Sequence, residues 1–182
     1  MSSLLKILKL KSVLVTALLL YASLPLHAET FPSDTKYEVC FTPGGDCTSM
    51  IVGEINKANK SVYLQAYSFT SKPIAQAITN AKRKGIDIKV ILDKSQVKHN
   101  QYSSSKYLTD QHVPVWVDYR PAIAHNKVVI IDSNIVITGS FNFTKAAQEK
   151  NAENILIIHD AVLAKQYTQN LFKRQSMSLK LT

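Results

Sequence analysis

Residues 125–142 read HNKVVIIDSNIVITGSFN. Two short runs rich in valine and isoleucine flank Asp132-Ser133-Asn134, three residue types that are common in turns. β-branched side chains pack well in strands and are less favourable in helices. The stretch therefore predicts an antiparallel β-hairpin that carries polar residues at its open end.

Four polar side chains should meet at that open end. Successive side chains of a strand point to opposite faces, so His125 and Lys127 should share one face of the first strand. The same spacing places Ser140 and Asn142 together at the end of the second strand. These groups can offer a nucleophile and hydrogen-bond donors to an anion such as a phosphodiester. The alternative, a sheet edge with solvated polar side chains, is less convincing beside such long apolar runs.

The residues before the hairpin alternate between strand and helix patterns. A strand, a helix and a strand follow one another within about thirty residues, which is typical of a crossover between parallel strands. We therefore expect an α/β fold class, with a mixed, mostly parallel β-sheet flanked by helices in a single domain. The predicted elements are a helix over 49–59 capped by Thr48 or Ser49, a strand over 61–69, a helix from Ser71 to Gly85, a strand over 86–93, a loop over 94–105, a short helix over 104–111, a strand over 113–117 and a final helix from Asp160.

The N-terminus has the pattern of a secretory signal peptide. Three lysines precede an uncharged run over 12–26 that is shorter than the roughly 20 residues of a membrane-spanning helix. Cleavage is expected after Ala28, which gives a signal peptide over 1–28 and a mature domain over 29–182. An uncleaved anchor is the alternative. The predicted location is the periplasm, with release into the medium as the second possibility.

The composition indicates a basic protein with a core. The chain has 182 residues, 46% of them hydrophobic, and a formal charge of +9, which becomes +6 without the three lysines of the signal peptide. Such an excess of positive charge favours a polyanionic partner. From the charge alone, a soluble basic protein without such a partner is an equally good interpretation. A surface for a phosphate chain could be formed by Lys82, Arg83, Lys84, Lys94 and Lys98.

Two cysteines lie close together in the mature part. Cys40 and Cys47 flank a flexible segment that contains Pro43 and two glycines. Thiols of an exported protein can pair in an oxidising compartment, whereas a metal site would need further ligands nearby. A structural disulfide is the prediction, and free thiols are the alternative.

The spacing of the polar residues resembles the HKD signature of the phospholipase D superfamily. The signature has the form His-x-Lys, Asp, Gly-Ser and Asn, and is matched here by His125, Lys127, Asp132, Gly139, Ser140 and Asn142. Segments 66–70, 139–147 and 151–154 further resemble the small secreted bacterial endonucleases of the Nuc type.

The resemblance implies a role for each residue. His125 would attack phosphorus and form a covalent phosphohistidine, while Lys127 and Asn142 hold phosphoryl oxygens and Ser140 assists. Glu153 would accept a hydrogen bond from the other ring nitrogen of His125. Asp132 is expected to be structural, at the turn.

The number of motif copies predicts the assembly. Members of the superfamily build one site from two copies, and this chain has one. The resemblance therefore implies a homodimer in which both copies of His125 share a site. It implies no metal and no cofactor, since Lys127 and Asn142 supply the charge stabilisation.

Three functions compete on the sequence alone. The first is a metal-independent, largely sequence-nonspecific endonuclease for DNA, with RNA as a possible further substrate. The second is a phospholipase D, which the positive charge and the lack of an obvious apolar loop disfavour. The third is a nucleic-acid-binding module without turnover, which the intact motif disfavours.

Overall fold

A computed structural model describes residues 28–97 and 104–181 of the chain. The predicted signal peptide lies outside the described residues except for Ala28, as does Lys98 of the predicted basic surface. The helices and strands given below belong to the unit that begins at Ser33. No helix within the described ranges is long and apolar enough to cross a membrane.

A single eight-stranded sheet runs through the described part of the chain, in the order β1-β7-β6-β5-β2-β3-β4-β8. The outermost strands, which form the two margins of the sheet, are therefore β1 and the short β8. The strands are β1 (Lys36–Thr42), β2 (Ser61–Ala66), β3 (Asp87–Asp93), β4 (Val115–Asp118), β5 (Lys127–Ile131), β6 (Ile135–Gly139), β7 (Glu153–His159) and β8 (Leu179–Lys180).

Helices cover both faces of the sheet. Ile51, Ile55, Ile74 and Ile78 are fully buried in the larger core on one face, while Ala164 and Leu171 of the C-terminal helix pack against the other. These stripes follow helical spacing, as the sequence predicts. The helices are α1 (Cys47–Lys57), α2 (Lys72–Arg83), α3 (Ser104–Asp110), α4 (Lys145–Glu149) and α5 (Ala161–Ser176), and Lys94–Val97 forms a 3₁₀ turn.

The α/β class with a mixed sheet is confirmed, but the expectation that most strands are parallel is wrong. Only β2 with β3, and β3 with β4, pair in parallel; the other strand pairs of the described sheet are antiparallel. The β2-α2-β3 crossover does set its two strands parallel. The β5-β6 hairpin then reverses the chain, and β7 and β1 each continue the sheet antiparallel to a neighbour.

Three strands were missed by the sequence patterns, and one of them is the two-residue β8. Residues 36–42 read as a polar lead, but they form β1, whose first four residues are exposed. A margin strand with one neighbour buries few side chains, so its pattern is weak. No strand was assigned to 153–159 either, although β7 lies between β1 and β6.

The first helix begins earlier than the sequence predicts. Its cap is Asp46, whose carboxylate accepts hydrogen bonds from the backbone N–H and the hydroxyl of Ser49, at 3.0 and 2.7 Å. Thr48 and Ser49, the predicted caps, are inside the helix. Aspartate is as good a cap as serine, and a pattern of apolar residues alone does not choose between neighbours.

Cys40 and Cys47 are joined by a disulfide, with Cα atoms 5.5 Å apart. Cys40 lies near the end of β1 and Cys47 begins α1, so the bond ties the margin strand to the helix layer. Both residues are buried in the larger core.

Candidate active site

The predicted site residues lie mainly along one edge of the sheet, the edge where β2 ends and β5 begins. Ala66, the last residue of β2, pairs with Lys127, the first of β5. Because β3 and β4 run parallel to β2, they end at this edge as well, and β6 ends there beside the start of β7. We call this the site edge.

His125 and Lys127 are in direct contact at the site edge. Lys127 is only 8% exposed, and its Nζ lies 3.2 Å from each ring nitrogen of His125 and 3.2 Å from the His125 carbonyl oxygen. His125 itself is exposed. A substrate phosphate can therefore approach the imidazole from solvent, with the ammonium behind it.

Burial lowers the pKa of Lys127, and the nearby carboxylate of Glu153 opposes this shift. Desolvation disfavours a charged ammonium, and a negative neighbour favours it. The bound phosphoryl group would be a second negative neighbour. The site therefore holds a cation whose charge is poorly compensated until an anion arrives.

Tyr67 supports both side chains. Its ring centroid lies 4.5 Å from that of His125, and Lys127 Nζ lies 5.3 Å from the Tyr67 centroid. The Tyr67 backbone N–H donates to the carbonyl of Asn126 at 2.8 Å. The sequence patterns assign Tyr67 no role of its own, although it directly follows a buried strand that ends at the site edge.

Ser140 also lies at the site edge, where its hydrogen-bond partner is Asn154. Its hydroxyl accepts a hydrogen bond from the Asn154 backbone N–H at 3.1 Å, and Asn154 Nδ2 lies 3.3 Å away. Gly139 precedes it with φ +151°, and a Cβ there would collide with the carbonyl oxygen of Asn154. Glycine in the motif therefore lets β6 and β7 approach closely.

The hairpin brings the segments that carry the four polar residues to the same edge of the sheet. Val128 pairs with Thr138, so Lys127 stands opposite Gly139, and the chain leaves the strand before Ser140. Within the described chain, no hydrogen bond joins His125 or Lys127 to Ser140 or Asn142. The convergence of the four groups on one bound anion therefore stays a prediction.

Asn142 is half-buried and has unused hydrogen-bonding capacity. Its Oδ1 is buried without a partner among the described residues. No hydrogen bond is formed by its Nδ2 within that part of the chain, so the amide can donate to a substrate oxygen.

Glu153 does not bond to His125 within one chain. Its Oε1 accepts a hydrogen bond from Asn151 Nδ2 at 3.0 Å, and its effect on the site is the electrostatic one on Lys127. The predicted bond to the imidazole stays a prediction for the assembled protein.

Asp132 lies at the opposite edge of the sheet, beyond the far end of β5. Its carboxylate accepts hydrogen bonds from the backbone N–H groups of Asn59, Lys60 and Ser61, at 2.8, 2.7 and 2.8 Å. Burial alone would raise its pKa, but these three donors outweigh burial and hold the pKa below the ordinary 3.8. The contacts fit the structural role that the sequence analysis expected.

The basic surface expected from the sequence is divided between the two edges. Lys82, Arg83 and Lys84 lie at the C-terminal end of α2, about 18 Å along the helix from its start at the site edge. Lys94 follows β3 at the site edge, where its Nζ donates to the Pro121 carbonyl at 3.1 Å. The three cations of the helix end are therefore remote from His125.

Within the described ranges, no group of three or more His, Cys, Asp or Glu side chains is arranged to hold a metal ion. Metal independence remains a prediction for experiment.

Comparison with known proteins identifies the family. The model of the family described as "Cardiolipin synthase, PLD-like domain" matches residues 51–175. A protein named Phospholipase D from Rickettsia prowazekii is 44% identical over 146 residues, which cover 80% of this chain and 71% of that protein. The chain belongs to the phospholipase D superfamily.

Solved structures of the superfamily share the fold. Nuc from Salmonella typhimurium, described as a phospholipase D family member, superposes with a TM-score of 0.77 at 31% identity, covering 81% of this chain and 99% of Nuc. NucT from Helicobacter pylori gives 0.74 at 27% identity, covering 81% and 100%. Phosphodiester hydrolysis is accordingly the class of reaction for this phospholipase D-like site.

Asp132→Ala is expected to lower the free energy of unfolding by about 2 kcal/mol, because three backbone N–H groups lose a charged acceptor. At temperatures where the variant is folded, its kcat/KM should be unchanged, because Asp132 lies far from His125. The depressed pKa means that this stabilisation is complete above pH 3.8 and disappears as the pH falls below it. Urea unfolding at several pH values measures the effect. Asn134→Ala, at the same exposed turn, is the control, and equal losses in both variants would contradict the assignment.

Proposed function

We propose that the protein is a metal-independent endonuclease that hydrolyses DNA, and RNA as a further substrate, with little sequence preference. The observation that carries the proposal is the contact between exposed His125 and the buried ammonium of Lys127. It places a nucleophile beside a cation at an open edge, where a long phosphate chain can pass. Among the described residues, nothing at the site edge resembles a groove-reading element, so recognition through phosphates is expected.

The reaction proceeds in two displacements. A ring nitrogen of His125 attacks phosphorus, the bond from phosphorus to the leaving oxygen breaks, and a proton from His125 of the partner subunit passes to that oxygen. Water then attacks the phosphohistidine, gives its proton to the partner's His125, and the phosphorus–nitrogen bond breaks. Lys127 and Asn142 stabilise the charge on the nonbridging oxygens in both steps.

We propose a homodimer because one chain supplies one such histidine. An exposed apolar row supports this: Tyr37, Val39 and Phe41 alternate along β1 and are 68%, 49% and 64% exposed. We call it the β1 stripe. Phe41 pairs with Asn154, the partner of Ser140, so the stripe is continuous with the site edge. A second copy that covers the β1 stripe would bring two sites close together.

Phe41→Glu is expected to shift the protein from dimer to monomer and to lower kcat/KM by 100-fold or more, since a buried charge opposes association and each site then lacks its second histidine. Sedimentation velocity gives the assembly state, and a nicking assay gives the activity. Leu179→Glu is the matched control, because Leu179 is 65% exposed on β8 at the other margin of the sheet. A fully active monomer, of either the wild type or the variant, would contradict the dimeric site.

Phospholipid hydrolysis is the second candidate. Relatives named Phospholipase D support it, and so does the segment before His125, where Tyr119 and Ile123 are 45% and 55% exposed. No apolar loop is obvious in the sequence, but the folded segment exposes these two apolar side chains. The net positive charge of the mature chain still favours a nucleic acid, because long polyanions are bound by many such contacts.

Plasmid nicking in excess EDTA tests the proposal directly. The mature protein, from Glu29 onward, is incubated with supercoiled DNA and separately with phosphatidylcholine vesicles, beside a His125→Ala control. Nicking that survives chelation and disappears in the variant is the expected result. Choline release without nicking would establish the phospholipase, and inactivity in both assays would leave a binding module. Export to the periplasm is part of the same proposal, and fractionation of cells that express the full chain tests it.

A further inference from the structure

A cavity of about 560 Å³ opens between the first turns of α1 and α2 and the short α4. We call it the Ser71 pocket. Its volume is in the range of small-ligand sites and exceeds what a phosphate group alone needs. Its lining includes Asp46, Val52, Ser71, Lys72, Pro73 and Glu149.

Ser71 is the unusual residue of this pocket. It is 95% buried, yet no partner for its hydroxyl is found among the described residues, and it is the residue before α2 without capping the helix. Asp46 before α1 and Asp160 before α5 both cap with their side chains. A hydroxyl that no described protein group engages, and that lines a cavity, is available to hydrogen-bond a ligand.

The first turn of α2 adds favourable electrostatics for an anion. The N-terminus of a twelve-residue helix carries partial positive charge and unpaired N–H groups, here left uncapped. Lys72 lies in this turn, is exposed, and forms no ion pair with any described residue. An anion at the start of α2 would therefore meet the hydroxyl, the helix end and an unpaired ammonium together.

The acidic side chains of the pocket are already engaged. Asp46 accepts two hydrogen bonds from Ser49, and Glu149 lies 3.6 Å from the ammonium of Lys145. Lys145 is therefore paired with a carboxylate, whereas Lys72 lies in no ion pair with a described residue and is available to an anion. Val52 and Pro73 add an apolar wall, which suits a sugar or base more than a second charge.

The pocket adjoins the site edge. The backbone N–H groups of Thr70 and Ser71 both donate to the carbonyl of Phe143 at 2.9 Å, and Phe143 directly follows Asn142. Ser71 is also four residues beyond Tyr67, which contacts His125. Four residues span at most about 15 Å, a distance of a few nucleotides along a strand.

We propose that the Ser71 pocket binds a non-scissile phosphate of the substrate strand, together with its nucleoside. The proposal rests on the proposed nuclease function. Ser71 and Lys72 bind the phosphate, and the apolar wall contacts the nucleoside. The pocket thereby holds the strand a few nucleotides from the bond that His125 attacks, and it contributes affinity without taking part in the chemistry.

Kinetics with two substrates distinguish phosphate binding in the Ser71 pocket from catalysis at His125. Bis(p-nitrophenyl) phosphate has a single phosphodiester and no neighbouring phosphate, whereas a twelve-nucleotide single strand has several. Lys72→Met and Ser71→Ala are expected to raise KM for the oligonucleotide about tenfold and about threefold, with kcat and the turnover of the small diester unchanged. Ser71→Ala should also keep the wild-type melting temperature, since no capping hydrogen bond is lost. Lys82→Met, at the other end of α2, is the matched control.

Each outcome has a distinct meaning. Unchanged oligonucleotide KM in both variants, or equal losses on the two substrates, would overturn the phosphate pocket and leave the nuclease function intact. A wild-type protein that hydrolyses the small diester but no nucleic acid would overturn the nuclease function itself, and with it the assignment of this pocket.

Discussion

His125→Ala is expected to lower turnover of phosphodiesters by about 10⁴-fold or more while the protein keeps its fold. The loss is large because the nucleophile itself is removed, and the remaining site residues can only bind and polarise the substrate. His125 is exposed and belongs to neither of the two core clusters, so the core is unaffected. Nicking kinetics measure the loss, and circular dichroism and thermal melting check the fold.

The control for this variant is His159→Ala. His159 ends β7 at the edge opposite the site, so its removal should leave turnover unchanged. Alkaline quenching of the wild-type reaction with a ³²P-labelled substrate should trap label on the protein, and His125→Ala should carry none. Near-normal activity of His125→Ala, or label retained in it, would remove this residue from the nucleophilic role.

Lys127→Met is expected to lower kcat/KM by about 10²–10³-fold and at the same time to raise the melting temperature. The activity falls because one preorganised cation for the phosphoryl oxygens is lost. The stability rises because methionine fills a similar volume and no charge is buried. A more stable but inactive variant is the signature of a residue retained for chemistry.

The pH dependence of Lys127→Met follows from the lowered pKa of Lys127. In the wild type the burial cost is complete below the folded-state pKa, decreases as the pH rises past it, and vanishes above the ordinary 10.5. The stability gain of the variant should shrink over the same interval. Wild-type kcat/KM should also fall on the alkaline side before an ordinary lysine would titrate, because the ammonium is needed.

Lys89→Met is the matched control. Lys89 also lies against an aromatic ring, with its Nζ 4.7 Å from the centroid of Tyr63, but it belongs to the part of β3 remote from the site edge. Its replacement should leave kcat/KM unchanged. Equal activity losses in the two lysine variants, or a destabilised Lys127→Met, would contradict the role assigned to Lys127.

The sequence was most informative where spacing along the chain is itself the constraint. The hairpin over 127–139, the crossover from β2 to β3 and the family resemblance all depend on short, regular intervals. Parity along a strand also brought Lys127 next to His125. Beyond Gly139, where β6 ends and the chain passes close to Asn154, parity along a strand no longer applies.

Contacts between segments that are far apart in the sequence could not be predicted from local spacing. Tyr67 and Asn154 are 58 and 29 residues from His125 in the chain, yet the ring of Tyr67 contacts the imidazole at a tilt, and Asn154 bonds to Ser140 at the same edge. Their positions depend on which strands become neighbours. Which strands become neighbours depends on the burial of whole faces of the sheet, and a short stretch of sequence does not contain that information.

The sequence by itself determined the chemical groups, their family, the α/β class and the single copy of the motif. The tertiary structure decided the antiparallel majority of the strand pairs, the burial of Lys127, the separation of Asp132 from the site and the free hydroxyl of Ser71. The physical reason is that residue types and spacings are local properties of the chain. Solvent exposure, pKa and hydrogen-bond partners depend instead on packing between segments far apart in sequence.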